Sequence, residues 1–327
     1  MDINPCFWLL LYVSEINAAD VRVPKGQIYD AIFADLDYVL ASPLSDFASV
    51  CGRAGKVAAM VLYGKAALQK ACDEDFESSK KESFKLAFDQ LTDAWGKKTF
   101  SALSTIPYSD IWDLSTQKTC AENIFQLNYI QNNESLGSSF SYLFGPIETG
   151  ITSMHTGSAS NMATTDTYES FEKGDARKGF LAATTLSGVT YYHSMKFVDL
   201  ECGANGYGGN NWIVFRYADV ALMLAEAYYW TGDENNAKLY LNMVRARAGL
   251  SDWTGTDLRQ GIYDERRHEF IQEGLRWQDL LRMYSSAELL QHFNAINSNF
   301  GLKDLLLPIP YNERILNPEG MYQNFGY

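Results

Sequence analysis

The chain has 327 residues, 46% of them hydrophobic, enough for one large domain or two modest ones around a real core, which excludes a disordered or collagen-like polymer. With 27 Lys and Arg against 40 Asp and Glu the formal net charge is −13, a field that repels phosphate backbones and anionic headgroups, so nucleic acid is not an expected partner. The five cysteines (Cys6, Cys51, Cys72, Cys120, Cys202) form no C-x-x-C pair and have no histidine at metal-ligand spacing, and read as buried or incidental thiols.

At the N-terminus the apolar run at residues 6–13 is too short for a bilayer span and lacks the basic start of a signal peptide, so the sequence as written is expected to carry neither export signal nor anchor. The first helical period falls on Tyr29, Ile32, Phe33, Leu36 and Leu40. A second falls on Val57, Met60, Val61, Gly64 and Leu68, and a polar stretch at 73–83 separates it from Phe84, Phe88, Leu91 and Trp95. That pattern predicts an antiparallel helix pair.

From 97 to 212 the texture changes to Gly, Ser, Thr and Asn with interspersed aromatics (Phe140, Tyr142, Phe144, Tyr168, Phe171, Tyr191, Tyr192, Tyr207). Residues 122–129 alternate like a half-buried strand. Long irregular regions inside compact proteins are usually functional or disordered, and the aromatics argue against disorder.

Helical order returns with Tyr217, Val220, Ala221, Leu224, Ala225 and Tyr228, the strongest amphipathic spacing in the chain. Gly232 then stops the helix and Asp233 is placed to cap the next, which carries Ala237, Tyr240, Leu241, Val244 and Ala248 up to Gly249. Two helices joined by a tight turn over about 34 residues make a tetratricopeptide-like hairpin. A third helical block is expected from about Ile262 to Met283, with Phe270, Ile271, Gly274, Trp277 and Leu281 inward and Arg266, Glu269, Glu273, Arg276, Asp279 and Arg282 on a solvated or ion-paired polar face. The run 305–310 (LLLPIP) must be extended, because proline restricts itself and its predecessor.

Three blocks in fixed order carry a resemblance. The run 215–227 (FRYADVALMLAEA) with 244–249 (VRARAG), the run 264–282 (DERRHEFIQEGLRWQDLLR), and the ending formed by Pro308-Ile-Pro310, Asn317-Pro318 and 323–327 (QNFGY) resemble the signatures of the SusD/RagB family, over about residues 20–327. The resemblance implies a mainly α scaffold of tetratricopeptide-like helix pairs with a loop-rich, short-stranded insertion that carries the ligand. It also implies an outer-membrane, surface-exposed lipoprotein of Bacteroidota that binds a nutrient oligosaccharide, or in some members a peptide, for a SusC-type TonB-dependent transporter. Such members are longer and begin with a signal peptide and a lipobox cysteine. Cys6 has no lipobox context, so the chain is expected to be N-terminally truncated and to meet the membrane only through an anchor it does not carry. The expected organisation is 1–96, an N-terminal helical part; 97–214, the loop-rich candidate ligand surface; and 215–327, the C-terminal helices. A tetratricopeptide-like protein-interaction module is the reading from another class.

No catalytic residue, metal ligand or cofactor site is expected. His268-Glu269 lacks the second histidine of H-E-x-x-H, there is no G-x-S-x-G elbow, and the glycine-rich run 203–209 fits neither a dinucleotide nor a P-loop spacing and reads as a mobile loop. The positive signal is aromatic: sugar rings pack their C–H faces on aromatic faces while amides replace the water bonds of the hydroxyls. Phe140, Tyr142 and Phe144 alternate and, if extended, point one way. With Asn132, Tyr207 and Trp212 they form the expected ligand-binding set. The plain alternative for each ring is core packing, Trp212 against the following helix. Trp112 and Trp277 are expected to pack.

Overall fold

The computed structural model describes residues 21–145, 157–202 and 206–327. The apolar run at 6–13 and the first three residues of the glycine-rich stretch lie outside them. Among the described residues helices dominate, and strands are few and short.

Helix α1 (Lys25–Ala41) leads into the antiparallel pair α2 (Lys56–Ala71) and α3 (Lys80–Gly96). The pair packs closely because Gly64 has no side chain where Leu91 and Ala87 cross it; a Cβ there would lie 2.5 Å from Leu91 Cγ. The second pair is α6 (Tyr217–Trp230) and α7 (Glu234–Arg247). Its turn follows the expected chemistry: Gly232 adopts φ 86°, and the Asp233 side chain accepts from the backbone N–H of Asn236. One core joins both pairs to α8 (Leu258–Glu269), through Val57, Val61, Leu68, Leu91, Val220, Leu224, Leu241, Val244 and Ile262.

Helix α6 departs from the amphipathic expectation. All residues from Tyr217 to Ala227 are buried, so it is the central helix of the scaffold, with no solvated face over that stretch. Its two acidic residues mimic a polar face in the sequence, but each is neutralised inside: Asp219 by Arg266 (2.8 Å) and Lys65 (3.2 Å), Glu226 by Arg282 (2.8 and 3.0 Å).

The expected third block is two helices, not one. α8 ends at Glu269 and α9 (Arg276–Met283) begins after a turn in which Gln272 and Gly274 take φ of 62° and 78°. The carbonyls that would continue the helix are taken elsewhere. Glu269 O accepts from Tyr108 Oη, Lys196 Nζ and Arg216 Nη2, and Ile271 O from Lys196 Nζ, so the ladder stops. Gly274 is therefore exposed rather than inward.

α10 (Ser286–Asn294) opens with a capping box between Ser285 and Glu288. The chain then passes a short 3-10 turn into the extended 306–310 segment and α11 (Tyr311–Leu316). The C-terminal motif locks onto that segment: the Gln323 amide both accepts from Ile309 N (2.8 Å) and donates to Ile309 O (3.2 Å), and Asn324 Nδ2 donates to Leu307 O (2.6 Å).

The irregular region contains β1 (Asn123–Leu127), α4 (Phe140–Phe144), α5 (Thr165–Glu169), the hairpin β2 (Leu181–Leu186) and β3 (Val189–Ser194), and β4 (Trp212–Arg216). β1 pairs antiparallel with β4, with Leu127 opposite Trp212 and Gln126 opposite Ile213. The β2–β3 turn has positive φ at both Ser187 and Gly188, the geometry that follows the strands' right-handed twist.

Candidate ligand-binding face

The irregular region is fastened to the helices by buried charge. Arg216, at the end of β4, donates to Glu273 (2.9 and 2.8 Å), Glu122 (2.9 Å) and Glu269. Arg247 of α7 joins the same Glu122 and Glu269. Arg177, just before β2, reaches Glu269 (3.0 Å), Glu265 and, through a two-point contact, Asp175 (2.9 and 2.7 Å). Lys196, just after β3, gives its donors to Glu269 O (2.9 Å), Ile271 O (3.1 Å) and Glu273 (2.7 Å).

Every one of these side chains is buried. Burial alone would keep Glu269 protonated, but Arg247, Arg216 and Arg177 outweigh it and hold the carboxyl well below its ordinary range. For Glu265 burial wins and the carboxyl is raised. Burial also lowers Lys196, to about 8, against the pull of Glu273. The polar residues expected on a solvated or ion-paired helix face are thus ion-paired but mostly interior, and they pair between elements; among them only Arg282–Asp279 has helical spacing. His268 likewise lies inside, its ring 4.3 Å from Phe171 and Nε2 2.8 Å from Ser170 Oγ.

On this base sits an aromatic cluster. Phe197 stacks on Trp212 (5.0 Å, 17°) and packs against Phe140, Phe144 and Trp112, with Tyr129 edge-on to Phe140 (5.3 Å). Above it, one carboxylate organises the loops. Asp199 accepts from Gln131 Nε2 (2.9 Å to each oxygen), from Gly209 N (2.9 Å) and from Glu201 N (2.9 Å), while its own N–H donates to Ser141 Oγ (2.8 Å). Ser138 and Gly208 form an antiparallel bridge. The described part of the glycine-rich run is therefore pinned rather than mobile, with Gly208 and Gly209 both buried.

The expected ligand residues separate into two groups. Residues 140–144 are helical, not extended, so the premise that their three rings point one way fails: helical spacing puts Phe140 and Phe144 on one side, stacked at 5.8 Å, and Tyr142 on the other. Phe144 is buried, and Phe140 is half-buried against Trp212 (5.3 Å). Trp212 lies on β4 and packs on Phe140 and Phe197, not on the following helix. Tyr142 is 44% exposed. Asn132, at φ 58°, donates its N–H to Tyr207 O (2.8 Å), which brings these two together on the same loop face. Sequence reasoning missed Asp199 and Gln131, whose role depends on a contact across 68 residues with no local signature.

Two of the clefts that the described residues form stand out by their linings. One of ≈ 430 Å³ lies between the helices, lined by Leu281, Met283, Leu289 and Leu305. Most of its charges are answered within the protein, as in Lys25–Asp73 and Arg259–Glu288. A second, of ≈ 240 Å³, lies beside β1 between the loops at 47–53 and 118–120. Among the described residues no cluster of His, Cys, Asp and Glu could hold a metal ion, and no helix is long and apolar enough to cross a membrane.

The SusD family model matches residues 151–327. SusD-like protein P2 of Formosa agariphila is 25% identical, over 96% of this chain and 67% of its own length. A SusD superfamily protein from Parabacteroides distasonis has the same fold, with a TM-score of 0.77 at 24% identity over 96% of this chain and 72% of its own. Surface glycan-binding protein A from Bacteroides thetaiotaomicron, solved in complex with laminarihexaose, gives 0.74 at 20% identity over 93% of this chain and 72% of its own.

Proposed function

The chain belongs to the SusD family, and from that membership we propose that it binds glycan without transforming it, at the outer-membrane surface, for delivery to a SusC-type transporter. The observation that carries the reading is the loop face. Tyr142 stands exposed on α4, Asn132 and Tyr207 of two further loops meet through a backbone bond, and buried aromatics and ion pairs lie beneath the irregular region. A rigid face with an exposed ring and amides suits a sugar, because little ordering entropy is lost on binding.

Surface glycan-binding protein A, which shares the fold, was solved in complex with laminarihexaose, and that supports the ligand class. The carboxylates of the densest ionic cluster are each held by arginine or lysine out of reach of solvent, which supports binding rather than hydrolysis. In this reading residues 97–214 carry the ligand and the flanking parts form the scaffold. Phe140, Phe144 and Trp212 support the face from below, and Tyr142, Asn132 and Tyr207 touch the sugar.

The test is a glycan and peptide panel with the purified chain and its Tyr142→Ala variant. Saturable glycan binding that the substitution weakens supports both ligand and site. Binding of peptides alone, or of nothing by a folded chain, refutes the reading.

A further inference from the structure

Most cations of this acidic protein are paired or lie over aromatic rings. Arg53 and Lys118 are not: among the described residues their side chains make no ion pair or hydrogen bond, yet the two, far apart in sequence, line the same ≈ 240 Å³ cleft. Both are exposed at its rim. The acid on the same loop as Arg53, Asp46, is already answered by Lys97 (2.8 Å).

The cleft is held open by design of its loops. Asn128 Nδ2 donates to Cys51 O (2.7 Å) and Gln126 Nε2 to Cys51 Sγ (3.0 Å), which fixes the Arg53 loop against β1. Gly52, at φ 88°, allows that approach, since a Cβ would sit 2.8 Å from Asn128 Nδ2. On the other side Gln117 donates to Gly209 O (2.9 Å) and accepts from Asn211 N (2.9 Å), which holds the Lys118 loop. Between the cations the walls are mostly polar, with apolar side chains set among them: Phe47 is 37% exposed and Val50 61%, while Ile124 and Phe125, which also pack into the core, line the cleft beside them. Ser49 and Thr119 add hydroxyls.

Two unanswered cations in a mostly polar cleft that also exposes Phe47 and Val50 suit an anion carried on a ring with C–H faces and hydroxyls. We propose that this cleft binds an acidic sugar residue of a glycan chain, a uronate or a sulfated ring, with its anion between Arg53 and Lys118 and its C–H face on Phe47 and Val50. The inference rests on the glycan-binding reading and names the charge class of the ligand. An arginine suits such an anion because its fork of donors matches two oxygens at once.

The experiment is calorimetric titration of the full chain with four probes: oligogalacturonate, its methyl ester, dextran sulfate and dextran. Three proteins are compared: the unaltered chain, Arg53→Gln/Lys118→Gln, and Lys81→Gln/Lys173→Gln, which removes the same charge from exposed lysines elsewhere. The acidic probe should bind the unaltered chain more tightly than its neutral partner. Affinity should fall about tenfold in the cleft variant, the combined effect of two rim charges, and stay within about twofold in the control. Preference for oligogalacturonate or dextran sulfate assigns carboxylate or sulfate. Equal binding of acidic and neutral probes, or equal loss in both variants, overturns the inference. Binding of neutral glycans such as laminarihexaose alone overturns it while the glycan reading stands, and failure of every glycan overturns both.

Discussion

Glu269 is the carboxylate on which three elements converge, and Glu269→Gln is the sharpest perturbation of the scaffold. Its oxygens accept from Arg177, Arg216 and Arg247, and none of the four side chains is more than 2% exposed. The amide keeps the shape but removes the charge and turns an N–H toward guanidinium donors. Breaking a buried ion cluster by removing one partner costs about 3–5 kcal/mol, because the charges left behind stay desolvated. Against a total stability of about 5–15 kcal/mol that is a large share. Urea titration followed by far-UV circular dichroism measures it, with Glu234→Gln as the control. Glu234 pairs with Lys238 at the surface, 61% exposed, and its loss is expected to stay below about 0.5 kcal/mol. The same cluster sets an acid limit. The folded-state pKa of Glu269 is depressed, so its contribution is complete above the ordinary value of 4.5 and is lost as pH falls toward the folded value. A Glu269→Gln variant within about 1 kcal/mol of the parent would mean that the three guanidiniums find other partners and that the lattice does not hold the loops.

Phe144→Ala should destabilise by about 3–5 kcal/mol and Tyr142→Ala by less than about 0.5 kcal/mol, so thermal and urea melts separate the supporting rings from the exposed one. Gly64→Ala forces a methyl against fully buried Leu91 and is expected to cost a net 1–2 kcal/mol or about that, whereas Gly96→Ala, with nothing within 4 Å of the new Cβ, should be neutral or stabilising in the same melts. His268 is pushed down to about 4 from 6.5, by burial first and Arg177 second, so its contribution is present above pH 6.5 and lost as pH falls toward 4. That window corresponds to about 3 kcal/mol, and the difference between the stability–pH curves of the parent and His268→Gln should level off outside it.

Helix pairs were legible because their apolar spacing and turn chemistry are local. Gly232 and Asp233 act as a stop and a cap whatever surrounds them. What local pattern could not convey was which polar residues are interior. Asp219, Glu226, Arg266 and Arg282 have the spacing of an exposed helix face, and only the partner elements reveal that they neutralise one another inside the core. The break at Gln272–Gly274 was hidden for the same reason, since it depends on Lys196 and Arg216 arriving from the irregular region.

Alternation at Phe140, Tyr142 and Phe144 was compatible with either a strand or a helical turn, because five residues are too few to distinguish the two periods. The structure chooses helix because Phe140 and Phe144 then share one side and pack together on Phe197. The motifs that resemble the family are largely the lattice itself: Arg216, Arg247, Glu265, Glu269 and Glu273 pair with one another or with the loops. They identify the scaffold, and the proposed ligand face lies on residues outside them.

The most direct test of a glycan face on the loop region is amide hydrogen exchange of the purified chain with and without the glycan that binds it best in the panel. The account predicts protection confined to the loops at 128–142 and 206–212 and to the cleft beside β1, with the α2–α3 and α6–α7 pairs unchanged. Protection on the helix pairs with none on the loops would contradict it.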